Sequence, residues 1–405
     1  MRSPTAPGRK EIFCGLGLAL LLRLAFCLHT NPLDQKPLSG DIYENIALNL
    51  VSRSEYSLQP GRPTALREPG YSLLIAGVYR LFGVRPWAMN LLYIVLSTVT
   101  VWLIYALAAA SFPGRGTRLV FWTVVFYPYF VYYSAYFNWF RETWLCFLAA
   151  LTYLLLARRK DLPGTLAAGA AAGLLCLTNF LWTPPLLLFA LWLCFREGAG
   201  AAPLKRFAVF ALPVFLLVGG WAARNWRVFG VPLPGSSMSG NQLYQAVLLP
   251  AEILGTDAAF PVLNRDPVWT AAAKLPEVEQ NTVLTRAGAR LIAAHPVRFA
   301  AALPRRFFLP WHIMPAELQY THNTRLVRLA ALLSDGWILP LALLGLWAER
   351  KRPLAVATAL LVLTLTATYS LTRAPIRYRM PLMPILLVFT GCGAKRLIRD
   401  ERIPI

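Results

Sequence analysis

The sequence predicts an all-α protein that crosses a membrane many times, and three observations carry this expectation. Of its 405 residues 57% are hydrophobic, mean hydropathy is +0.50 and 15% are charged, where a soluble domain carries about a quarter. The apolar residues collect in runs close to the ~20 that a helix needs to cross a bilayer. The basic short loops, with one exception, fall on the same side of a single topology.

Taken in order, Arg2, Arg9 and Lys10 precede an apolar stretch from Ile12 to Leu28. No small-residue cleavage site follows, and Phe26 stands where a lipoprotein signal needs a small residue, so an uncleaved first span near 11–30 is expected. Further spans are expected near 87–110, 119–136, 143–157, 163–180, 183–196, 207–223, 333–348, 353–371 and 380–395, which makes about ten transmembrane helices. A cytoplasmic N-terminus then sends Arg115/Arg118, Arg158–Lys160, Lys205/Arg206, Glu349–Arg352 and Lys395–Arg402 to the same side, in the cytoplasmic (inner) membrane, with the C-terminus also cytoplasmic. Two substantial segments lie outside, 31–86 and 224–332. The chain divides into a core at 1–224 that includes the first outer loop, a long outer region at 225–332, and last spans with a tail at 333–405.

In the first outer segment, "SGDIYENIALNL" places Asp41 and Glu44 at capping-box spacing, ahead of Ile42, Ile46, Ala47, Leu50 and Val51 on one helix face. Turns are expected at Pro60-Gly61, Pro63 and Pro69-Gly70. "YSLLIAGVYRLFG" reads as an apolar helix ended by Gly83, too short to span, and counting it as a span would invert every later loop. It is expected to lie against the bundle. The second outer segment is dense in Gly and Pro and predicts short helices and loops. Gly169 and Gly173 have the spacing of a close helix–helix contact. The six cysteines lie in or beside apolar runs and read as small core hydrophobes.

Net charge is +21, from 40 Lys+Arg against 19 Asp+Glu. Cytoplasmic loops absorb much of it, so no nucleic acid is expected and anionic membrane lipid is the better partner. The exception to the loop rule is "TRAPIRYRMP", with Arg373, Arg377 and Arg379 on the outer side. Cations kept there against the bias predict an anion to bind, and arginine suits phosphate because its planar fork donates parallel hydrogen bonds. Arg224, Arg227, Arg305, Arg306, Arg325 and Arg328 are also placed outside, some of them as lipid-headgroup contacts. Outer acids are fewer: Asp34, Asp41, Glu44, Glu55 and Glu68 lie in the first segment, and Glu142 stands beside Arg141 at a short outer turn. Within the apolar runs, Arg23 is read as the only well-embedded charge. The four histidines show no metal-ligand spacing and no nucleotide motif is present, so no cofactor is expected and a divalent metal has no ligand motif behind it.

Transfer of a sugar from a polyprenyl phosphate to a hydroxyl needs these parts. The phosphate leaves as a stable anion that cations can steady, and the attacking hydroxyl gives its proton to one carboxylate. The lipid tail needs an apolar groove between spans.

Three sequence blocks resemble the bacterial membrane glycosyltransferases of the GT-C class, the group of protein O-mannosyltransferases and the lipid A aminoarabinose transferase. They are "GDIYENIALNL…GRPTALREPGYSLLIAGVYRLFG", "RNWRVFGVPLPGSSMSGNQLY" and "RYRMPLMP", in the family's order and over most of the chain. Two departures are visible: Glu68 stands where the family has the first proline of a pair, and one acid, not an adjacent Asp-Glu pair, opens the first-loop helix. The resemblance implies a GT-C-like helix bundle with Asp41 as catalytic base and Glu142 as a second catalytic acid. It implies donor-phosphate binding by Arg377, Arg379 and Arg224, and a lining of Arg67, Glu68, Tyr71, Asn225 and Tyr378. The expected activity is inverting transfer from a polyprenyl-phosphate-linked sugar to a lipid, glycan or protein hydroxyl at the outer face. A polyprenyl-linked sugar transporter is the alternative.

Overall fold

The computed structural model describes residues 6–31, 36–38, 40–158, 161–196, 200–250, 252–254, 257–313, 324–372 and 375–400. The first half of the chain forms α1 (Arg9–Thr30), α2 (Ile42–Arg53), the strands β1 (Ser57–Gln59) and β2 (Arg62–Pro63), then α3 (Pro69–Phe82), α4 (Pro86–Ser111), α5 (Arg115–Phe126), α6 (Pro128–Ser134), α7 (Glu142–Arg158), α8 (Leu162–Thr178) and α9 (Thr183–Phe195). The second half forms α10 (Ala201–Phe229), α11 (Ser239–Leu248), α12 (Ala259–Leu263), α13 (Pro267–Ala272), α14 (Glu277–Ala294), α15 (Pro296–Phe308), α16 (Thr324–Ala348), α17 (Pro353–Ser370) and α18 (Met383–Asp400). Single 3-10 turns at Phe180–Trp182, Leu309–Trp311 and Ile376–Leu382 lead into or follow these helices. Pro69, Pro86, Pro128 and Pro353 each open a helix, where a missing N–H costs nothing.

Among the described residues six helices are long and apolar enough to cross a membrane: α1, α4, α10, α16, α17 and the run Ile376–Leu397. Shorter apolar helices lie at Gly116–Phe126, Leu162–Thr178 and Phe180–Phe195. The chain is a multi-pass membrane protein. One continuous core joins α4, α7, α8 and α18, with Tyr153, Phe189 and Phe389 fully buried in it. All six cysteines are free thiols, and five of them are buried.

Small residues set the closest helix contacts. A Cβ on Gly169 would run into the Phe210 carbonyl of α10, and one on Gly173 would lie 3.0 Å from the Pro213 carbonyl, as their spacing predicts. The same holds between α16 and α18, where a Cβ on Gly345 or Gly393 would meet the facing helix backbone.

Several elements differ from the sequence expectation. The turn-rich stretch after α2 forms a two-stranded antiparallel ribbon, with Gly61 at φ +72° in its tip. The segment expected as one span at 119–136 is broken at Tyr127, because Pro128 cannot donate to the preceding turn and Tyr127 turns extended at φ −63°, ψ 113°. Beside the break, the Val125 carbonyl accepts from buried Arg23, and Arg23 also donates to Ser97 Oγ at 2.7 Å. α10 runs on to Phe229 and so carries Arg224 and Asn225 in its last turns. α16 begins at Thr324, which puts Arg325 and Arg328 on this helix and not in a loop.

Arg23 is not the only charge embedded in the bundle. Asp335, in the middle of α16, is fully buried and pairs with Arg379, also fully buried. Asp335 Oδ1 accepts from Tyr127 at 2.7 Å, so the broken third span, α16 and the Ile376–Leu382 turn meet at one carboxylate. Arg379 further donates to the carbonyls of Pro310 at 2.8 Å and His312 at 2.7 Å.

Removing one partner of such a pair strands the other charge, at about 3–5 kcal/mol, whereas an apolar replacement of both is near neutral. Asp335→Leu is therefore expected to lower the thermal unfolding midpoint in detergent sharply, and Asp335→Leu/Arg379→Met to recover most of the loss. Equal midpoints for the single variant and the wild type would disprove this account of the pair.

Candidate active site

A cleft of about 450 Å³ opens where α2, α7, the Phe180–Trp182 turn and the Ile376–Leu382 turn begin. Three carboxylates line it, Asp41, Glu68 and Glu142, together with three guanidiniums, Arg67, Arg141 and Arg377. Aromatic rings of Tyr43, Trp139 and Tyr378 contribute to the wall, and the segment from Leu233 to Gln245 closes the far side.

Asp41 caps α2, and both of its oxygens are engaged. Oδ1 accepts from the Tyr43 N–H at 2.9 Å and Oδ2 from the Trp139 N–H at 2.8 Å. The cap leaves neither oxygen free, although each keeps a lone pair for another donor. Trp139 sits in the left-handed region at φ +65°, a conformation that costs a bulky residue of order 1 kcal/mol or more. The Asp41 carboxylate holds it there. Burial pushes the Asp41 pKa above the ordinary aspartate value, against the pull of the backbone N–H groups of Trp139, Tyr43 and Glu44 and of Arg67.

The reciprocal half of the capping box does not form. Glu44 turns inward and accepts from the Leu38 N–H at 2.7 Å, from Asn138 Nδ2 at 2.8 Å and from the Tyr79 hydroxyl. The two acids of α2 therefore share the task of fixing the turn before α7, one through Asn138 and the other through Trp139.

Glu142 is the first residue of α7 and is buried, with Oε1 lying 3.6 Å from Arg377 Nε. Its Oε2 is buried and has no hydrogen-bond partner among the described residues. Arg377 lies over the Phe140 ring at 5.3 Å. Arg141 donates to the Thr178 carbonyl at 2.7 Å, lies 3.5 Å from Glu68 Oε2 and faces the Tyr43 ring from 5.8 Å. Arg67 covers the same ring at 5.7 Å. Two arginine–carboxylate pairs and two arginines on one tyrosine thus surround a single space.

The structure brings Asp41, Glu142, Arg67, Glu68, Arg377 and Tyr378 to the cleft and leaves the other expected residues behind it. Arg379, expected on the donor phosphate, is instead a buried ion-pair partner, since residues two apart in a 3-10 segment point about 120° away from each other and Arg377 takes the cleft side. Arg224 does not line the cleft. It donates to the carbonyls of Thr64 at 2.8 Å and Tyr56 at 3.2 Å and lies among the rings of Tyr56, Trp221 and Phe229. Asn225, fully buried, donates to the Leu233 carbonyl at 2.8 Å. Tyr71 donates to the Phe137 carbonyl at 2.6 Å and accepts from the Tyr93 hydroxyl, which braces the Trp139 turn from beneath. Arg373 and Asp34 lie outside the described residues. Sequence reasoning missed Arg141, whose signal was a basic residue at an outer span end next to an acid, and Asp335, whose signal was an acid inside an apolar run. Among the described residues, no group of three or more His, Cys, Asp or Glu side chains could hold a metal ion.

Residues 62–221 match the family model of dolichyl-phosphate-mannose-protein mannosyltransferases. Among solved structures the chain is similar to the oligosaccharyltransferase AglB of Archaeoglobus fulgidus in complex with an inhibitory peptide and a dolichol-phosphate. The identity is 12%, the TM-score 0.50, and the match covers 97% of this chain and 52% of that one. The same enzyme tethered to an acceptor peptide matches with TM-score 0.52 at 12% identity, over 97% of this chain and 50% of that one. The fold is that of the GT-C glycosyltransferases. ArnT of Cupriavidus metallidurans bound to undecaprenyl phosphate also matches, at 16% identity and TM-score 0.41, over 97% of this chain and 80% of that one. The chain spans about half the length of the archaeal structures it matches. No curated protein sequence matches it.

Two measurements check the cleft. Glu44→Ala leaves three buried donors without an acceptor, at about 1–3 kcal/mol each before relaxation. It is expected to lower the thermal midpoint by more than Asp41→Asn, which keeps an acceptor oxygen. For Asp41, a raised pKa in the folded state means that the folded protein binds the proton more tightly, so its contribution to stability falls as pH rises through that value. A stability profile in which Asp41→Asn has lost this decline is the expected outcome.

Proposed function

We propose that this protein is a membrane glycosyltransferase that moves a sugar from a polyprenyl-phosphate-linked donor to a hydroxyl acceptor, with inversion, at the outer face of the cytoplasmic membrane. The observation that carries the reading is the meeting of Asp41 and Glu142 with Arg67, Arg141 and Arg377 in one cleft at the end of an apolar bundle. The family match over 62–221 supports the sugar-transfer chemistry, and the lipid phosphate named with the archaeal structure supports the donor class. Neither favours the transporter.

In the proposed reaction the acceptor oxygen attacks the anomeric carbon as the bond from that carbon to the phosphate oxygen breaks. The bonding pair leaves with the phosphate, and the acceptor proton passes to a carboxylate. Arg377 steadies the growing charge on the phosphate, exchanging its contact with Glu142 for one with the leaving oxygen. Asp41 receives the proton, and the burial that raises its pKa makes it the stronger base. A single displacement inverts the anomeric centre. The unpartnered Oε2 of Glu142 supports a second reading, in which Glu142 takes the proton and Asp41 only shapes the site.

Transfer from a polyprenyl-phosphate sugar in membranes decides between them. Asp41→Asn is expected to reduce kcat roughly 10²- to 10⁴-fold, and residual activity should lack the acid limb that the wild type shows at a pH above the ordinary aspartate range. Full transfer by a folded Asp41→Asn protein, with loss in Glu142→Gln, would move the base to Glu142. Arg377→Gln is expected to lower kcat and, because it takes the nearest cation from buried Glu142, to lower the thermal midpoint as well; an unaltered kcat in the folded variant would remove Arg377 from the donor phosphate.

A further inference from the structure

The last turn of α11 is shared between the cleft and a separate cavity of about 250 Å³: Gln245 lines the first, and Val247 and Leu248 line the second. One face of α15 forms the facing wall, with Arg298, Phe299, Ala302 and Arg306 along it. Arg306 is the reason to read a binding site here, for it is only 3% exposed. Its Nη2 donates to the Ala246 carbonyl near the end of α11, and its guanidinium lies over the Phe299 ring at 5.7 Å. Those two contacts hold the charged head at the cavity wall. Its Nε and Nη1 are buried and have no hydrogen-bond partner among the described residues.

Capping the end of α11 uses one of the five N–H donors of a guanidinium. Water entering the cavity would satisfy the remaining donors, but it would leave a buried cation without a counter-charge, which is the larger cost. No carboxylate is among the described lining residues, and Glu252 is already paired with Arg305. The ends of α11 and α14 each bring about half a negative charge and the start of α15 about half a positive one, which does not neutralise a guanidinium. An anion satisfies the donors and the charge together. The surroundings select its kind. Leu249, Leu291 and Phe299 make the walls apolar, and α15 exposes Val297 and Phe308, as a helix lying on a bilayer does. The turn after α15 is tied to the end of α17 that leads into the cleft: Trp311 Nε1 donates to Thr366 Oγ1 at 3.2 Å, and Thr372 lines the cleft. Cavity and cleft therefore open toward the same membrane face.

We propose that this cavity binds a phosphate ester, with Arg306 on its phosphate oxygens, Arg298 and His295 at the rim, and the organic part along the apolar walls. A lipid headgroup in the leaflet beside the cleft supplies this chemistry, and a soluble phosphate shares it. The inference does not rest on sugar transfer, since none of the residues assigned to that reaction lines this cavity.

The test titrates the full-length protein in detergent with phosphatidylglycerol, phosphatidylcholine or inorganic phosphate, read by native mass spectrometry and by the change in thermal midpoint. Retained phosphatidylglycerol and a raised midpoint are expected for the wild type. Arg306→Gln should bind this lipid roughly tenfold or more weakly, whereas Arg377→Gln, in the cleft, should bind it as the wild type does. Where Arg306→Gln does not yield folded protein, Ala302→Leu fills the cavity, keeps the guanidinium and makes the same comparison. A response to inorganic phosphate alone, abolished by the same variants, supports the site and assigns it to a soluble phosphate. Equal phosphatidylglycerol binding by these variants and the wild type, or a loss confined to Arg377→Gln, would overturn the site and leave Arg306 as a hydrated cap on α11. No preference over phosphatidylcholine together with no phosphate response would do the same.

Discussion

The pairing of Asp335 with Arg379 is the interaction on which the rest of the arrangement depends. A buried ion pair is a poor source of stability, because dehydrating two charges offsets most of their attraction. What it supplies is register. Asp335 can satisfy its oxygens only if Tyr127 and Arg379 both reach it, and Arg379 Nη1 can donate only if the Pro310 and His312 carbonyls stand where they do. The break at Pro128, the end of α15 and the turn before α18 are fixed together. Arg377, two residues away, then has one side on which to emerge, and that side holds Glu142.

The cleft obeys a similar economy of charge. Glu142 sits by Arg377 and Glu68 by Arg141, so neither sign dominates, and a phosphate-bearing ligand would exchange one negative partner for another. Glu68 is informative because it stands where the resembled family has proline. Here it links the first loop to the start of α7 through Arg141 and to the Phe180 N–H at 3.5 Å. The second loop region reaches the same place from the other side: Glu277 of α14 accepts from Thr64 Oγ1 at 2.7 Å, and the Ser237 N–H donates to the Ala65 carbonyl at 2.8 Å. Arg67 and Glu68 are thus carried on a segment pinned from both flanks.

Much of the fold was legible because apolar length and punctuation are local properties. α3 ends at Gly83 as its positive φ requires, and the embedding of that helix followed from its length. The Gly169/Gly173 contact followed from spacing. Asp41 and Arg377 were legible as candidates because resemblance supplied the blocks they stand in, and both line the cleft. What could not be read was the direction of side chains within a tight turn. Arg377 and Arg379 are equivalent in "RYR" until a partner is known, and the partner, Asp335, lies 44 residues away. Arg224 and Tyr71, on helices, face away from the cleft and donate to carbonyls that sequence does not reveal. The capping box failed because Glu44 had three better donors supplied by tertiary contacts.

The glycine contact between α16 and α18 has a mechanical consequence. With Gly345 and Gly393 each set against the facing backbone, the two helices have no side-chain cushion along which to slide. α16, α18 and the turn between Ile376 and Leu382 therefore form one closely packed wall of the cleft, and Arg377 is anchored in it. The opposite wall, from Leu233 to Gln245, joins the end of α10 to α11 and is tied in turn to the first loop, through the Ser237 N–H and the Ala65 carbonyl.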